Sequence, residues 1–420
     1  MIDINLLRSN PSVFQKAAKD KNIDINVDHI LEIDKKHKEL SIAVQKLREE
    51  RNILTSSMKG KPTPQQIEKG KILKEKLEKE EHSLKAVGDE LKTELLKIPN
   101  PAADDVPIGN DESGNKEIRK VGKIPNFSFQ PKSHDELALS LDLYDSKHAA
   151  KIAGTRAYFL KNELVMLEQA VLNYGLEVMV KLGFTPMTVP WMVNKEALWG
   201  TGYFPWGIED HYTTQDGQGL IGTSEVSLTA YYQDEVLDEK DLPIKLVGIS
   251  PCFRREVGSY GKDTKGFIRV HQFNKIEQVV LTIADENETR KWHEKMLEFS
   301  EKLLQALELP YKVLLMCTGD MGAGQRKKYD IETWFPSQKK YRETHSASYF
   351  NDFQSRRLNI KYKTKDGDKK YIYTLNNTVI STPRILAAIL ENYQQQDGSI
   401  IIPKILQKYL NFEKITPKKV

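Results

Sequence analysis

Through residues 28–98, side chains that can pack against a partner return at steps of four and three in two long runs, strictly alternating except for the last step of the second. The first holds Ile33, His37, Leu40, Val44, Leu47, Arg51 and Leu54; the second holds Leu73, Leu77, Glu80, Leu84, Val87, Leu91 and Leu95. This is heptad spacing, and it predicts two helices that bury one seam and keep Lys- and Glu-rich flanks in water. Between the runs, Met58-Lys59-Gly60-Lys61-Pro62-Thr63-Pro64 carries one glycine and two prolines, so the helix must break there. Two helices of about 30 residues joined by so short a turn make an antiparallel hairpin about 45 Å long. Upstream, residues 1–27 read as a short helical cap, in which Asn10-Pro11 opens a helix carrying Val13, Phe14, Ala17 and Ala18.

Beyond the hairpin the pattern changes twice. Residues 98–109 are too rich in proline for a helix or a central strand, and the polar run 111–121 continues them, so 99–125 reads as a linker between an N-terminal domain (1–98) and a second domain (126–420). In the second domain helical and β-like periods alternate. Helices are predicted over 137–144, 164–182 and 286–307, and strands over 156–160, 244–249, 312–316 and 330–335, with a turn and short strand at 183–190. The glycines at 319, 322 and 324 read as turn residues. The fold class is therefore α+β.

Composition narrows this picture only slightly. A chain of 420 residues, 39% apolar and 29% charged, has room for two or three domains with a large solvated surface. No apolar run approaches the roughly 20 residues a membrane helix needs. The start, Met1-Ile2-Asp3-Ile4-Asn5, lacks the basic and apolar segments of a signal peptide, so the expected location is cytoplasmic. Cys252 and Cys317 stand far apart outside any C-x-x-C pair and read as buried apolar fillers rather than zinc ligands. The net charge of +4 says little, but residues 46–79 hold ten basic against five acidic side chains. That imbalance fits either a solvated coiled coil or a lever whose outer half touches phosphates.

The most informative stretch is 251–277. A β-like run leads into Phe253-Arg254-Arg255-Glu256, then a loop rich in Gly, Ser and Lys, then Arg269-Val270-His271-Gln272-Phe273 and on to Glu277. On a strand, residues two apart share a face, which predicts Arg254 and Glu256 side by side. Such a pair can grip a phosphate and accept from an amino group, or can form an ordinary cross-strand ion pair. The whole stretch is similar to motif 2 of the class II aminoacyl-tRNA synthetases, in the form carried by the seryl-tRNA synthetase family. The resemblance extends along the chain. The hairpin is similar to that family's tRNA-binding arm, with Arg51-Asn52 near its tip. The 164–190 segment resembles motif 1, the family's dimer interface. Residues 375–386 resemble motif 3, although many members have glycine where this chain has Asn377, Val379 and Pro383.

What the resemblance implies is a catalytic domain built on a mostly antiparallel sheet flanked by helices, in a homodimer, ligating serine to tRNA. The substrates implied are L-serine, ATP and serine tRNA, with selenocysteine tRNA a further candidate and no membrane partner. Thr223, Ser224 and Glu225 match its T-x-E serine-binding segment, a sequence that by itself reads as a helix N-cap. Arg254, Glu277 and Thr378 complete the implied serine set. The implied ATP set is Arg254, Arg255, Glu256, Val270, Phe273, Glu343, Thr344, His345, Ser346 and Arg384, with Arg269 and His271 flanking it. Arg254 and Arg384 are the implied catalytic pair, and Glu343 and Ser346 the implied Mg²⁺ ligands.

Other chemistries find no support. The chain lacks both phosphate-loop patterns, G-x-x-x-x-G-K-[ST] and G-x-G-x-x-G after a strand, and it lacks the His-x-Gly-His and Lys-Met-Ser-Lys-Ser signatures of class I synthetases. One rival expectation is a catalytically impaired relative that binds RNA through the arm, its support being the altered motif 3. A carrier-protein ligase would lack the arm.

Overall fold

The heptad runs form two helices, α1 (Val27–Ser57) and α2 (Pro64–Leu96). Asn26 starts the first by accepting from the His29 amide. Thr63 and Gln66 close a capping box on the second, with Pro64 in its opening turn, where a missing N–H costs nothing. Val44, Leu47, Leu73 and Leu77 bury the seam, with Leu84 packed against them. Arg48 reaches Glu81 at 2.8 Å across the two helices. Arg51, within the predicted heptad series, is exposed. Ahead of the hairpin stand two short helices, Ile4–Ser9 and Pro11–Asp20, instead of one. This computed structural model describes residues 1–58, 60–257 and 265–417. Its chain divides into two units, Met1–Pro101 and Ala102–Val420.

The second unit is organised by one eight-stranded sheet. In chain order its strands are β1 (Lys116–Val121), β2 (Thr185–Thr188), β3 (Ile244–Phe253), β4 (Gln272–Thr282), β5 (Tyr311–Leu315), β6 (Lys327–Phe335), β7 (Lys340–Asn351) and β8 (Tyr373–Ser381). They lie in the order β1-β5-β6-β7-β8-β4-β3-β2, antiparallel throughout except for the β2–β3 pair. One face packs on the helices α3 (Glu163–Lys181), α4 (Glu286–Ala306) and α5 (Thr382–Asn392) through a core that includes Leu167, Val171, Ile276, Val280, Leu297, Ile331, Ala347 and Ile385. Gly175 lets α3 approach closely, since a Cβ there would stand 2.8 Å from Ile380. The other face is covered at one end by a second core, with Leu246, Val279 and Leu281 packing on Leu198, Phe204, Val226 and Leu358.

Several expectations change. Residues 116–121, read as linker, form the edge strand β1, because their alternation is polar on both sides and escapes a search for buried strands. The helix expected over 137–144 is His134–Ser140, ending where Asp142 takes a left-handed conformation. The 156–160 strand shrinks to Phe159–Leu160, since Arg156 is also left-handed. Gly319 and Gly324 do lie in turns, as expected, and are in addition sites of close approach: a Cβ would meet Asn110 and Phe353 at 2.3 and 2.6 Å. Both cysteines are buried, as expected.

Candidate active site

Three central strands bring polar side chains to one cavity of about 320 Å³. On β4, strict alternation puts Phe273, Lys275 and Glu277 on the cavity face. On the neighbouring strands alternation alone would fail. Glu343 and Ser346 are three residues apart, an odd separation that sends side chains to opposite faces. An extra residue at Thr344 breaks the β6–β7 register, where Ile331 pairs with His345 but Glu332 pairs with Glu343, and both Glu343 and Ser346 then line the cavity. The same device recurs on β8. Thr378 pairs with Glu277 and Ile380 with Ile276, so Val379 is the extra residue, and Thr378 and Ser381 both reach the cavity.

Arg254 and Glu256 also line it, but not as a strand pair. β3 ends at Phe253, and Glu256 sits at φ 55°, in the left-handed region. Its carboxylate meets Arg269 Nη1 at 2.6 Å. Arg254 lies 5.3 Å over the Phe273 ring, and its Nε and Nη2 donate to the Gly222 carbonyl at 3.3 Å. Arg384 lines the wall from the first turn of α5 and pairs with Glu343 at 3.2 Å. Residues Gly258–Thr264 of the motif 2 loop lie outside the described residues.

The ionic states follow from this crowding. Burial pushes Glu343 up, but the nearby charges of Arg384, Lys328 and Arg254 outweigh it and hold the carboxylate well below its ordinary range. Burial pushes the Glu277 carboxyl up to about 7, with Lys275, 2.5 Å away, pulling the other way. Burial likewise raises Glu225, opposed by hydrogen bonds from Tyr203 and Gln354. The cavity therefore holds charged and protonatable carboxyls among five cations, Arg254, Arg269, Lys275, Lys328 and Arg384. That is a setting for a polyanion beside a small zwitterion.

Not every expected residue faces the cavity. Thr223 lies behind it, its Oγ1 accepting from Lys275 Nζ at 3.2 Å and from the Glu225 amide at 3.3 Å; a helix does start at Glu225, but Ser224 at the N-cap position makes no side-chain capping bond. Ser224 is buried against Gly248, where a Cβ would stand 2.8 Å from its Oγ. Arg255 turns away, donating to the Glu209 carbonyl at 2.9 Å. His345 is buried and bonded to the Val379 carbonyl, and burial holds its imidazole down at about 4, hence neutral. Thr344 borders the cavity, but its hydroxyl bonds Thr333 at 2.8 Å. Sequence reading missed Tyr203, Gln325, Lys328, Asn376 and the inward Lys275. Lys275 was legible from the period of two that joins Phe273 to Glu277. Lys328 and Asn376 arrive only through pairing with Ser348 and leave no local signal.

The departures in motif 3 are accommodated. Asn377 points to the helix face, where Nδ2 donates to the Met296 carbonyl at 2.7 Å and Ser300 at 2.8 Å. Val379 is the extra residue, and Pro383 sits in the first turn of α5 and lines the cavity.

This sheet, with its arginines and carboxylates on one open face, is the core of a class II aminoacyl-tRNA synthetase. Residues 210–393 match the family described as tRNA synthetase class II core domain (G, H, P, S and T), and residues 1–102 match the seryl-tRNA synthetase N-terminal domain. The serine–tRNA ligase of Deinococcus radiodurans is 42% identical over 424 residues, covering all of both chains. Among solved structures, the Pyrococcus horikoshii seryl-tRNA synthetase complexed with ATP superposes with a TM-score of 0.92 at 37% identity over the full length of both chains. The Naegleria fowleri cytoplasmic serine–tRNA ligase with AMP gives 0.88 at 32%, over 100% of this chain and 99% of that one. The chain belongs to the seryl-tRNA synthetase family, and its function is that of a serine–tRNA ligase. The comparisons support this reading and not the RNA-binding alternative.

Proposed function

We propose that the cavity activates serine with ATP and that its residues divide the work as follows. Arg254 grips the α-phosphate and the serine carboxylate, and Arg384 covers the adenine and reaches the γ-phosphate. Glu256 accepts from the adenine amino group, Phe273 stacks under the ring, and Val270 borders it. Glu225 receives the serine ammonium. Glu277 and Thr378, neighbours across β4 and β8, bind the serine hydroxyl. A site that leaves buried polar groups unpaired when the hydroxyl is missing rejects alanine strongly. A serine carboxylate oxygen attacks the α-phosphorus in line as the bond to pyrophosphate breaks. The terminal ribose hydroxyl of tRNA then attacks the adenylate carbonyl and AMP leaves. The arginines position the reactants and neutralise charge, the dominant contributions in such transfers.

Glu343 and Ser346 suit Mg²⁺: an ionised carboxylate and a hydroxyl on one face of one strand, open to the cavity, leave the remaining positions to phosphate oxygens and water. Bound there, the ion would offset charge on the ATP phosphates. Thr223, behind the wall, acts by supporting Lys275. Arg255, Ser224 and His345 have structural roles in this scheme.

The protein is proposed to work as a cytoplasmic homodimer. The support is an apolar hollow of about 670 Å³ beside the motif 1 segment, lined by Ile152, Tyr158, Phe159, Val165 and Phe253. The arm is proposed to hold serine tRNA, and selenocysteine tRNA in the same way. No helix among the described residues is long and apolar enough to cross a membrane. The observation that carries the catalytic reading is the convergence of Glu225, Arg254, Glu343 and Arg384 on one cavity. Serine-dependent ATP–pyrophosphate exchange tests it: wild-type protein exchanges and Arg254→Ala does not, and retained exchange in the variant refutes the assignment.

A further inference from the structure

Glu225 reaches the cavity wall with both carboxylate oxygens already held by protein donors. Tyr203 Oη donates to Oε2 at 2.7 Å and Gln354 Nε2 donates to Oε1 at 2.8 Å. The Gln354 amide has a fixed sense. Thr374 Oγ1 donates to its Oε1 at 2.6 Å, and its Nε2 also donates to the Thr201 carbonyl at 3.0 Å. Four separate elements therefore meet behind one carboxylate: the Lys195–Thr201 helix, the Glu225–Ala230 helix, the Phe353–Leu358 helix and β8. Thr201, Glu225, Gln354 and Thr374 are all buried, and Gln354 does not line the cavity.

Such an arrangement has a physical purpose. A buried carboxylate without donors gives up its charge, and a neutral acid cannot pair with an ammonium group. A carboxylate free to rotate would also lose entropy each time it bound substrate. Tyr203 and Asn376, which line the cavity, supply donors from that side, while Gln354 supplies one from the interior, where water cannot replace it.

We propose that Gln354 is the positioning residue of the ammonium subsite: it fixes the Glu225 carboxylate for the α-ammonium group of the amino-acid substrate without touching that substrate. This rests on the reading that Glu225 receives the ammonium. The effect is confined to one functional group. ATP affinity and the preference for serine over threonine, which depend on other residues, are independent of it.

Exchange kinetics of the full chain test the proposal. Gln354→Met keeps the volume and removes the donor, and it is expected to raise the serine KM roughly 10-fold to 100-fold, the usual effect of losing a hydrogen bond to a charged group. The ATP KM and the serine-to-threonine ratio of kcat/KM stay within about two-fold. Thr374→Val, which frees the amide to turn, shifts the serine KM in the same direction by less, and the double variant is non-additive. A serine KM unchanged in Gln354→Met, or an ATP KM that rises equally, overturns the proposal. Should Gln354→Met not fold, an unchanged serine KM in Thr374→Val overturns it alone. Glu225→Gln separates the two levels. If it raises the serine KM and Gln354→Met does not, only the positioning role is lost; if it leaves the serine KM unchanged, the Glu225 reading falls as well.

Discussion

His345 donates from Nε2 to the carbonyl oxygen of Val379 at 3.1 Å. The first residue adjoins the extra position on β7 and the second is the extra position on β8, so one buried bond joins the two irregularities that turn Glu343, Ser346, Thr378 and Ser381 into the cavity. His345→Phe keeps bulk and removes the donor. It is expected to lower stability by roughly 1–3 kcal/mol and to depress exchange about 100-fold through displaced cavity groups. Urea unfolding and exchange assays measure the two effects; a variant with full exchange would contradict this link.

The Glu343–Arg384 pair makes a second case. Arg384→Ala removes the largest of the charges that hold Glu343 ionised. Exchange is expected to fall by a factor on the order of 100 to 1,000, as for loss of one preorganised transition-state donor. Arg384→Lys recovers little, since a point charge cannot replace the planar fork.

Glu256 offers opposite effects on stability and activity. Its left-handed backbone is strained for any residue with a Cβ, at roughly 1 kcal/mol. Glu256→Gly is expected to leave folding stability equal or higher while raising the ATP KM at least 10-fold, because the acceptor proposed for the adenine amino group is gone. A fall in stability with unchanged ATP KM would argue for a purely structural Glu256–Arg269 pair.

A pH prediction follows from His293, buried with its Nε2 donating to the Ala347 carbonyl at 2.9 Å. Burial depresses its imidazole to about 4, below the ordinary 6.5. A depressed histidine favours the folded state in full above the unfolded value, and that contribution is lost as pH falls from 6.5 toward 4. His293→Phe should therefore lose part of the acid sensitivity: the stability gap between wild type and variant moves in the variant's favour between pH 7 and pH 5. Parallel unfolding curves at the two pH values would contradict it.

Deleting residues 30–97 removes most of one unit and leaves the other whole. Exchange is expected to survive at near wild-type rates while charging of serine tRNA stops. Undiminished charging would remove the arm's proposed role.

The parts legible in the sequence were those governed by a single period. The heptads gave the hairpin, and the motif resemblance picked out Phe273 and Glu277, which the regular alternation of β4 does bring to one face. Where the period is interrupted, reading fails for a physical reason. Arg254 and Glu256 share the cavity because the chain leaves the strand at Phe253 and reverses its backbone sign at Glu256, not because they are two residues apart on a strand. The side chains that brace Glu225 come from four distant segments, and only tertiary pairing assembles them. Strand β1 was hidden because an edge needs little apolar character to pair.

An odd residue in each of two adjacent strands makes this site a matter of counting. Shortening either strand by one would roll everything beyond the cut half a turn about its own axis, delivering acids and hydroxyls to oily helices and offering isoleucine to the nucleotide. Exchanges of side chain near 344 and 379 can be absorbed locally, whereas a one-codon deletion there would invert the enzyme's inside and outside. Chain length at those two points is therefore guarded more strictly than chemistry.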